Sequence, residues 1–189
     1  DNRIPVLYGR STIGGIITEA VQSTDGKTMT YVITLSECTG TAIDGTPSSY
    51  IFEKIYYNKN VVTFTSDGIT IDFTSDSNGY TDTNPNGLVK IWCYAGGSSS
   101  IYQVAPNGLT LTKVNAYDVV PNWDTTHTMS GLVFAVVQVT YNKDKSVTGL
   151  PAMTFDIENS LSQPGDVLFD YMTNTRYGAG INLGDIYVS

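Results

Sequence analysis

Histidine is almost missing from this chain: His127 is the single one in 189 residues. A Ser-His-Asp or Cys-His system would have to use it, and no nucleophile elbow lies near it. It sits in Thr125-Thr126-His127-Thr128, a polar run that reads as a surface loop. One histidine and two cysteines outside any paired-Cys pattern do not make a zinc site. Cys38 and Cys93 are also too few for a disulfide framework and are expected as reduced, half-buried thiols. Charge is scarce, at 15% of residues, so the usual surface residues of helices and the charge density of disorder are both lacking. Ten basic residues face eighteen acidic ones, for a formal charge of −8. That excludes a protein gripping phosphates with clustered Lys and Arg, but not one that DNA slides past, because a negative wall repels phosphate. The longest apolar run, Leu132-Val133-Phe134-Ala135-Val136-Val137, has the length of a buried strand and not of a membrane span. No membrane segment, phosphate loop or dinucleotide fingerprint is found. The first residue is Asp1, with no initiator Met and no basic leader ahead of an apolar stretch. The sequence is therefore expected to be a processed product or a piece of a longer polypeptide.

What fills the space is Thr, Ser, Asn and 13 Tyr, a composition that favours strands. Ile13 to Ala20 reads as a strand whose Gly14-Gly15 pair permits a bulge or a close backbone approach. Asp25-Gly26 is a hairpin signal, and Met29 to Leu35 alternates with period two on its far side. Ile51 to Tyr57 and Val61 to Thr65 pair around Asn58-Lys59-Asn60, and Asp67-Gly68 turns into alternating Ile69, Ile71 and Phe73. Residues 75–87 form the most polar stretch, a long loop or hairpin tip. Leu88 to Ala95 and Leu109 to Ala116 read as strands separated by a Gly-Ser loop and the Pro106-Asn107-Gly108 turn. Asp118 to Met129 has no period and reads as an irregular connection. Gly131 to Tyr141 is the most apolar strand, expected at the centre of the main sheet, and Met153 to Ile157 is the last. One helix is predicted, opening at Pro164 and ending at Asn174 to Gly178, with Val167, Leu168, Tyr171 and Met172 on its buried face.

Two constellations suggest a ligand. Asp82-Thr83-Asn84-Pro85-Asn86-Gly87 fits the start of a calcium loop, but its twelfth position is Cys93 where a bidentate Glu belongs. Turn chemistry explains the same residues. Trp92, Tyr94, Tyr102 or Trp123 on a β-sandwich are candidate stacking residues of a carbohydrate-binding module, although sheet tyrosines more often keep the ring half buried and the hydroxyl in water.

Three ordered segments carry a resemblance. The first is Pro5-Val6-Leu7-Tyr8-Gly9-Arg10-Ser11-Thr12-Ile13-Gly14-Gly15-Ile16-Ile17, followed by Tyr31-Val32-Ile33-Thr34-Leu35-Ser36-Glu37. The second is Trp123, then Gly131 to Val137, then Asn142-Lys143-Asp144 and Gly149-Leu150-Pro151. The third runs from Pro164-Gly165-Asp166 through Met172-Thr173-Asn174-Thr175-Arg176-Tyr177-Gly178-Ala179-Gly180 and is the most specific. Together they resemble the central hub or tip attachment proteins of long-tailed bacteriophages, the protein J family of lambda-type tails. Met172 stands where that family usually has Leu, and residues 75–108 diverge from it.

The resemblance implies a mainly β chain, an antiparallel barrel or sandwich like a tail-tube domain with one short C-terminal helix. The hub core would comprise residues 1–74 and 109–189, with helix 164–173 and an inserted hairpin region at 75–108. It implies a structural virion protein and not an enzyme, with no cofactor and no metal. Its partners would be two further copies of itself in a homotrimeric ring and other tail-tip and tail-tube proteins, with genomic DNA passing through unbound. It would be made in the host cytoplasm and reside in the phage tail. The assembly residues implied are Tyr8, Gly9, Gly14, Gly15, Trp123, Arg176, Tyr177 and Gly178, with Arg176 pairing a carboxylate of the same or the next subunit.

Overall fold

The computed structural model describes residues 3–95, 103–104, 111 and 114–186. In chain order the strands are β1 (Arg10–Ile13), β2 (Ile16–Gln22), β3 (Thr28–Glu37), β4 (Tyr50–Tyr57), β5 (Asn60–Phe64) and β6 (Ile71–Ser75). They continue with β7 (Thr81–Asp82), β8 (Val89–Tyr94), β9 (Gln103–Val104), β10 (Leu132–Thr140) and β11 (Met153–Asn159). Helix α1 (Ala116–Val119) precedes β10, and α2 (Pro164–Thr173) follows β11.

The strands form two antiparallel sheets, ordered β1-β11-β4-β5-β6-β7 and β2-β3-β10-β8-β9. Local chemistry sets the hairpins. Asp25 Oδ1 accepts from Ser23 Oγ and Lys27 N in the β2–β3 turn, and Gly26 there has φ +71°. In the β4–β5 turn Asn58 and Lys59 both have positive φ, the pair a two-residue hairpin demands. The sheets then meet through alternating residues: Phe52, Ile55, Phe155 and Ile157 from one, Ile33, Leu35, Ile91 and Val137 from the other. This is a sandwich. Among the described residues the sheets do not close into a barrel, and β1, β7, β2 and β9 are their outermost strands.

The second sheet is buried on both faces at its middle. Val133, Phe134, Ala135, Val136 and Val137 all have no accessible surface, which explains why β10 reads as a continuous apolar run. The outer face, Val32, Trp92, Tyr94, Phe134 and Val136, is covered by Ala116 and Val120, with Tyr94 stacked on Phe134 at 4.7 Å.

Within residues 75–108, β8 pairs with β10 over six residues and contributes Val89, Ile91 and Cys93 to the core. Two expectations are corrected here. The chain has a second helix, α1, which overlaps only the first two residues of the Asp118 to Met129 connection and, with Val120, covers the outer cluster. Finally, α2 does not bury its apolar stripe: Leu168 is 58% and Tyr171 52% exposed, while the helix residue driven inside is Asp170. Half of the predicted strand over Leu109 to Ala116 lies outside the described residues, and Ala116 opens α1.

Candidate functional site

The residues singled out at the two ends of the chain converge. After Ile4 the backbone runs as a strap between the two sheets. Glu37 N donates to Pro5 O at 2.8 Å, and Leu7 N donates to Ser36 Oγ at 3.0 Å, which fixes the strap to the end of β3. On its other side Asn159, fully buried at the end of β11, donates from Nδ2 to Leu7 O at 2.6 Å and to Thr39 Oγ1 at 2.9 Å. Gly9, at φ +61°, turns the strap into β1, donating to Leu161 O and accepting from Asn159 N, both at 2.8 Å. A side chain at that φ would be strained.

Tyr8 is thereby aimed at α2. Its hydroxyl donates to Asp170 Oδ2 at 2.7 Å, and the Tyr177 hydroxyl donates to the same oxygen at 2.5 Å. Gly40 N donates to Asp170 Oδ1 at 2.8 Å. A carboxylate with 2% exposure is tolerated because three donors replace its water. Burial first, then the hydrogen bond to Asp170 and its negative charge, push the Tyr8 and Tyr177 phenols well above the usual tyrosine range. Two glycines make the approach feasible. A Cβ on Gly40 would lie 2.7 Å from Asp170 Oδ1, and one on Gly178 would collide with the carbonyl oxygens of Tyr171 and Asn174.

Arg176 finds its carboxylate within the chain. Its Nε lies 2.6 Å from Glu37 Oε2, a close ion pair without the alignment of a hydrogen bond, and its NH1 donates to Ser130 O at 3.3 Å. Gly131, at φ +77°, lies so near that a Cβ there would collide with the guanidinium. The three segments of the resemblance therefore touch: Tyr8 from the first, Gly131 from the second, Asp170, Arg176 and Tyr177 from the third.

Gly14 and Gly15 lie elsewhere, where the chain leaves β1 in one sheet and enters β2 in the other. Gly15, at φ +70°, is pressed on β3, and a Cβ would come within 2.7 Å of Ile33, Leu35 and the Thr34 carbonyl. Trp123 also stands apart. Its Nε1 donates to Glu19 Oε2 on β2 at 2.7 Å, and its ring stacks on His127.

The arrangement fastens segments together. Asp170, Asn159 and Gly40 were not singled out from the sequence. A lone Asp on a helix reads as a solvated charge, and only its spacing of four from Asp166, which accepts from Ile43 N at 3.0 Å, marks that face as the anchored one.

The ligand readings fare differently. Trp92 and Tyr94 are core residues, 6% and 0% exposed, and cannot form a sugar platform. Tyr102 lies outside the described residues. In the calcium-like loop Asp82 Oδ1 accepts from Asn84 N within a turn, and Asn86 Nδ2 donates to Asp72 on β6, so both side chains are engaged in holding the loop. Among the described residues no group of three His, Cys, Asp or Glu is placed to hold a metal ion, and no helix is long and apolar enough to cross a membrane. Cys38 and Cys93 are not joined in a disulfide; Cys38 is half-buried as expected, Cys93 is fully buried, and burial pushes its thiol up. No protein-family model matches the chain, and no curated protein matches it.

Proposed function

We propose that this chain is a structural subunit of a phage tail tip: a homotrimeric hub that closes the tail tube, joins it to the host-attachment parts and forms part of the conduit for DNA ejection. The observation that carries the reading is the junction around Asp170. The segments that resemble the hub family are far apart in sequence, yet Tyr8 and Tyr177 share Asp170, and Gly131 packs against Arg176 next to Tyr177 in the chain.

Surface features support an assembly. The open sandwich keeps edge strands, of which β2 is seven residues long, and such edges invite pairing or cover by a neighbour. Around α2, Ile43, Leu168, Tyr171 and Leu183 expose apolar surface, of the kind that marks contact sites. The formal charge of −8 suits a wall past which DNA moves without binding. On this reading the protein resides in the virion tail after synthesis in the host cytoplasm, and its neighbours are tail-tip and tail-tube proteins.

Light scattering on the purified chain, with electron microscopy of tailed particles carrying an affinity tag on it, tests the proposal. Three copies around an axis, and tag density at the distal tail end, are the expected results. A chain that stays monomeric at every concentration and never enters tailed particles overturns it.

A further inference from the structure

Charge is divided across the sandwich. The chain has three arginines, and all of them lie toward β1, an outermost strand of the six-stranded sheet. Arg10 is on β1 itself, paired with Asp156. Arg3 and Arg176 line a cleft of about 620 Å³ beside the strap that leads into β1, walled by Ile4, Val6 and Tyr177. Glu37 is the one carboxylate in this cleft, and Arg176 already holds it. Arg3 is exposed and enters no ion pair among the described residues, so the cleft keeps a surplus cation.

The far side has the opposite imbalance. Residues 60–89 contain Asp67, Asp72, Asp76 and Asp82 and neither Lys nor Arg. Among the described residues none of these four carboxylates is in an ion pair. They lie on or between β5, β6 and β7, at the other edge of the sheet from β1. Tyr80, in the turn from β6 to β7, is 76% exposed, the highest value among the described large apolar side chains. Five strand spacings of about 4.8 Å put roughly 24 Å between the two edges. The turn and the cleft of one molecule therefore cannot meet.

We propose that the β6–β7 turn of one copy of this chain seats in the arginine cleft of the next copy. Tyr80 is the anchor, because its ring offers a guanidinium an aromatic face and its hydroxyl offers an acceptor. Asp76 brings the carboxylate that Arg3 lacks. Its Oδ1 closes the turn by accepting from Asn78 N and Tyr80 N, both at 2.9 Å, and lone pairs remain on Oδ2. A second copy is the occupant that the charges select, since each molecule carries the complementary surpluses at opposite edges. Tyrosine and arginine are also the side chains on which interface energy concentrates. The contact joins two different surfaces head to tail, and such contacts repeat around an axis until they close. It rests on the ring proposed above and names the surfaces that meet in it.

Light scattering of the purified chain over a concentration series tests the contact, with charge reversals at two exposed positions, Arg3→Glu in the cleft and Ser77→Lys in the turn. Each is expected to raise the concentration of half-assembly about tenfold or more, and so is Tyr80→Ser. Melting curves of the dilute variants, expected to match the parent, separate a lost contact from a lost fold. Arg3→Glu combined with Ser77→Lys exchanges the two charges and is expected to recover most of the loss. A parent that assembles while all three single variants assemble equally well overturns the contact and leaves the ring standing. Single variants that weaken assembly without recovery in the double variant overturn the matching of these two surfaces. A parent that stays monomeric at every concentration overturns the contact and the ring together.

Discussion

Tyr8 and Tyr177, near opposite ends of the chain, donate hydrogen bonds to one and the same atom, Oδ2 of Asp170. The two phenols therefore act on a common acceptor, and each helps to replace the water that the carboxylate lost on burial. Loss of one leaves the other to satisfy that oxygen alone.

Tyr8→Phe and Tyr177→Phe are each expected to cost about 1.5–3 kcal/mol, the net worth of a hydrogen bond to a charged group. Asp170→Asn brings an amide N–H against existing donors and costs about 2–3 kcal/mol, as unpaired buried polar groups do. Because the acceptor is shared, the double Tyr variant departs from additivity by roughly 0.5 kcal/mol or more. Urea denaturation of the four proteins checks this, and strictly additive values refute the shared acceptor.

Glycine substitutions separate close approach from ordinary loop positions. At Gly178 a Cβ collides with backbone oxygens, and at Gly15 it meets both a carbonyl and an unfavourable φ. Each Ala variant is expected to lose about 1–3 kcal/mol or more. Gly149→Ala and Gly184→Ala, where nothing lies within 4 Å, should stay within roughly 0.5 kcal/mol of the parent. A thermal melt ranks all four, at roughly 2–4 °C per kcal/mol for a chain of this size.

Arg176→Ala strands the Glu37 carboxylate, whose side chain is only 13% exposed. The guanidinium is half exposed, so the cost is nearer about 2 kcal/mol than the larger values of fully buried pairs. Adding Glu37→Gln should recover part of it, because a neutral amide tolerates burial better than a lone charge. Equal stability of Arg176→Ala and the parent would show that the pair contributes nothing, and equal stability of the single and double variants that the lone Glu37 charge costs nothing.

Stability should fall at both ends of the pH scale through named groups. Burial pushes the Tyr50 phenol up to about 12, against partial compensation by Thr39. A folded-state value above the unfolded one means that its contribution is complete below about pH 10 and lost as pH rises through 12. Tyr8, Tyr94 and Tyr177 are shifted in the same direction, so phenolate absorbance is expected to show these tyrosines titrating late, together with unfolding. At the acid end, burial of Asp67 works against its charge, but hydrogen bonds from Thr70, Ile69 and Thr65 prevail and hold the carboxyl at about 2. Its folded value lies below the unfolded one, so its contribution is present above about pH 4 and disappears as pH falls toward 2. Asp67→Asn should flatten that part of the stability curve, and an unchanged acid limb would exclude the assignment.

Strands and turns were legible because they are local. Period-two alternation marks β3, and Asp25-Gly26 and Asn58-Lys59 mark their hairpins by the backbone angles those residues accept. The central place of β10 could be read from its unbroken apolar run. Sheet order could not, since β8 joins the middle of a sheet through pairing with β10, which lies 38 or more residues downstream in sequence. Hydrophobic spacing misled for α2, because the helix is held by carboxylates at Asp166 and Asp170 and leaves Leu168 and Tyr171 outside. Arg176 was recognisable as a pairing residue, but Glu37 as its partner depends on how the chain ends meet.

The strap has a mechanical consequence. Val6 lies parallel to β3 at Glu37, β1 lies antiparallel to β11, and Tyr8 between them is bolted to α2. A pull along the chain from residue 3 would load these fastenings in shear, all at once, before any strand could peel away singly. Tension arriving from that side would be shared by both sheets and the helix.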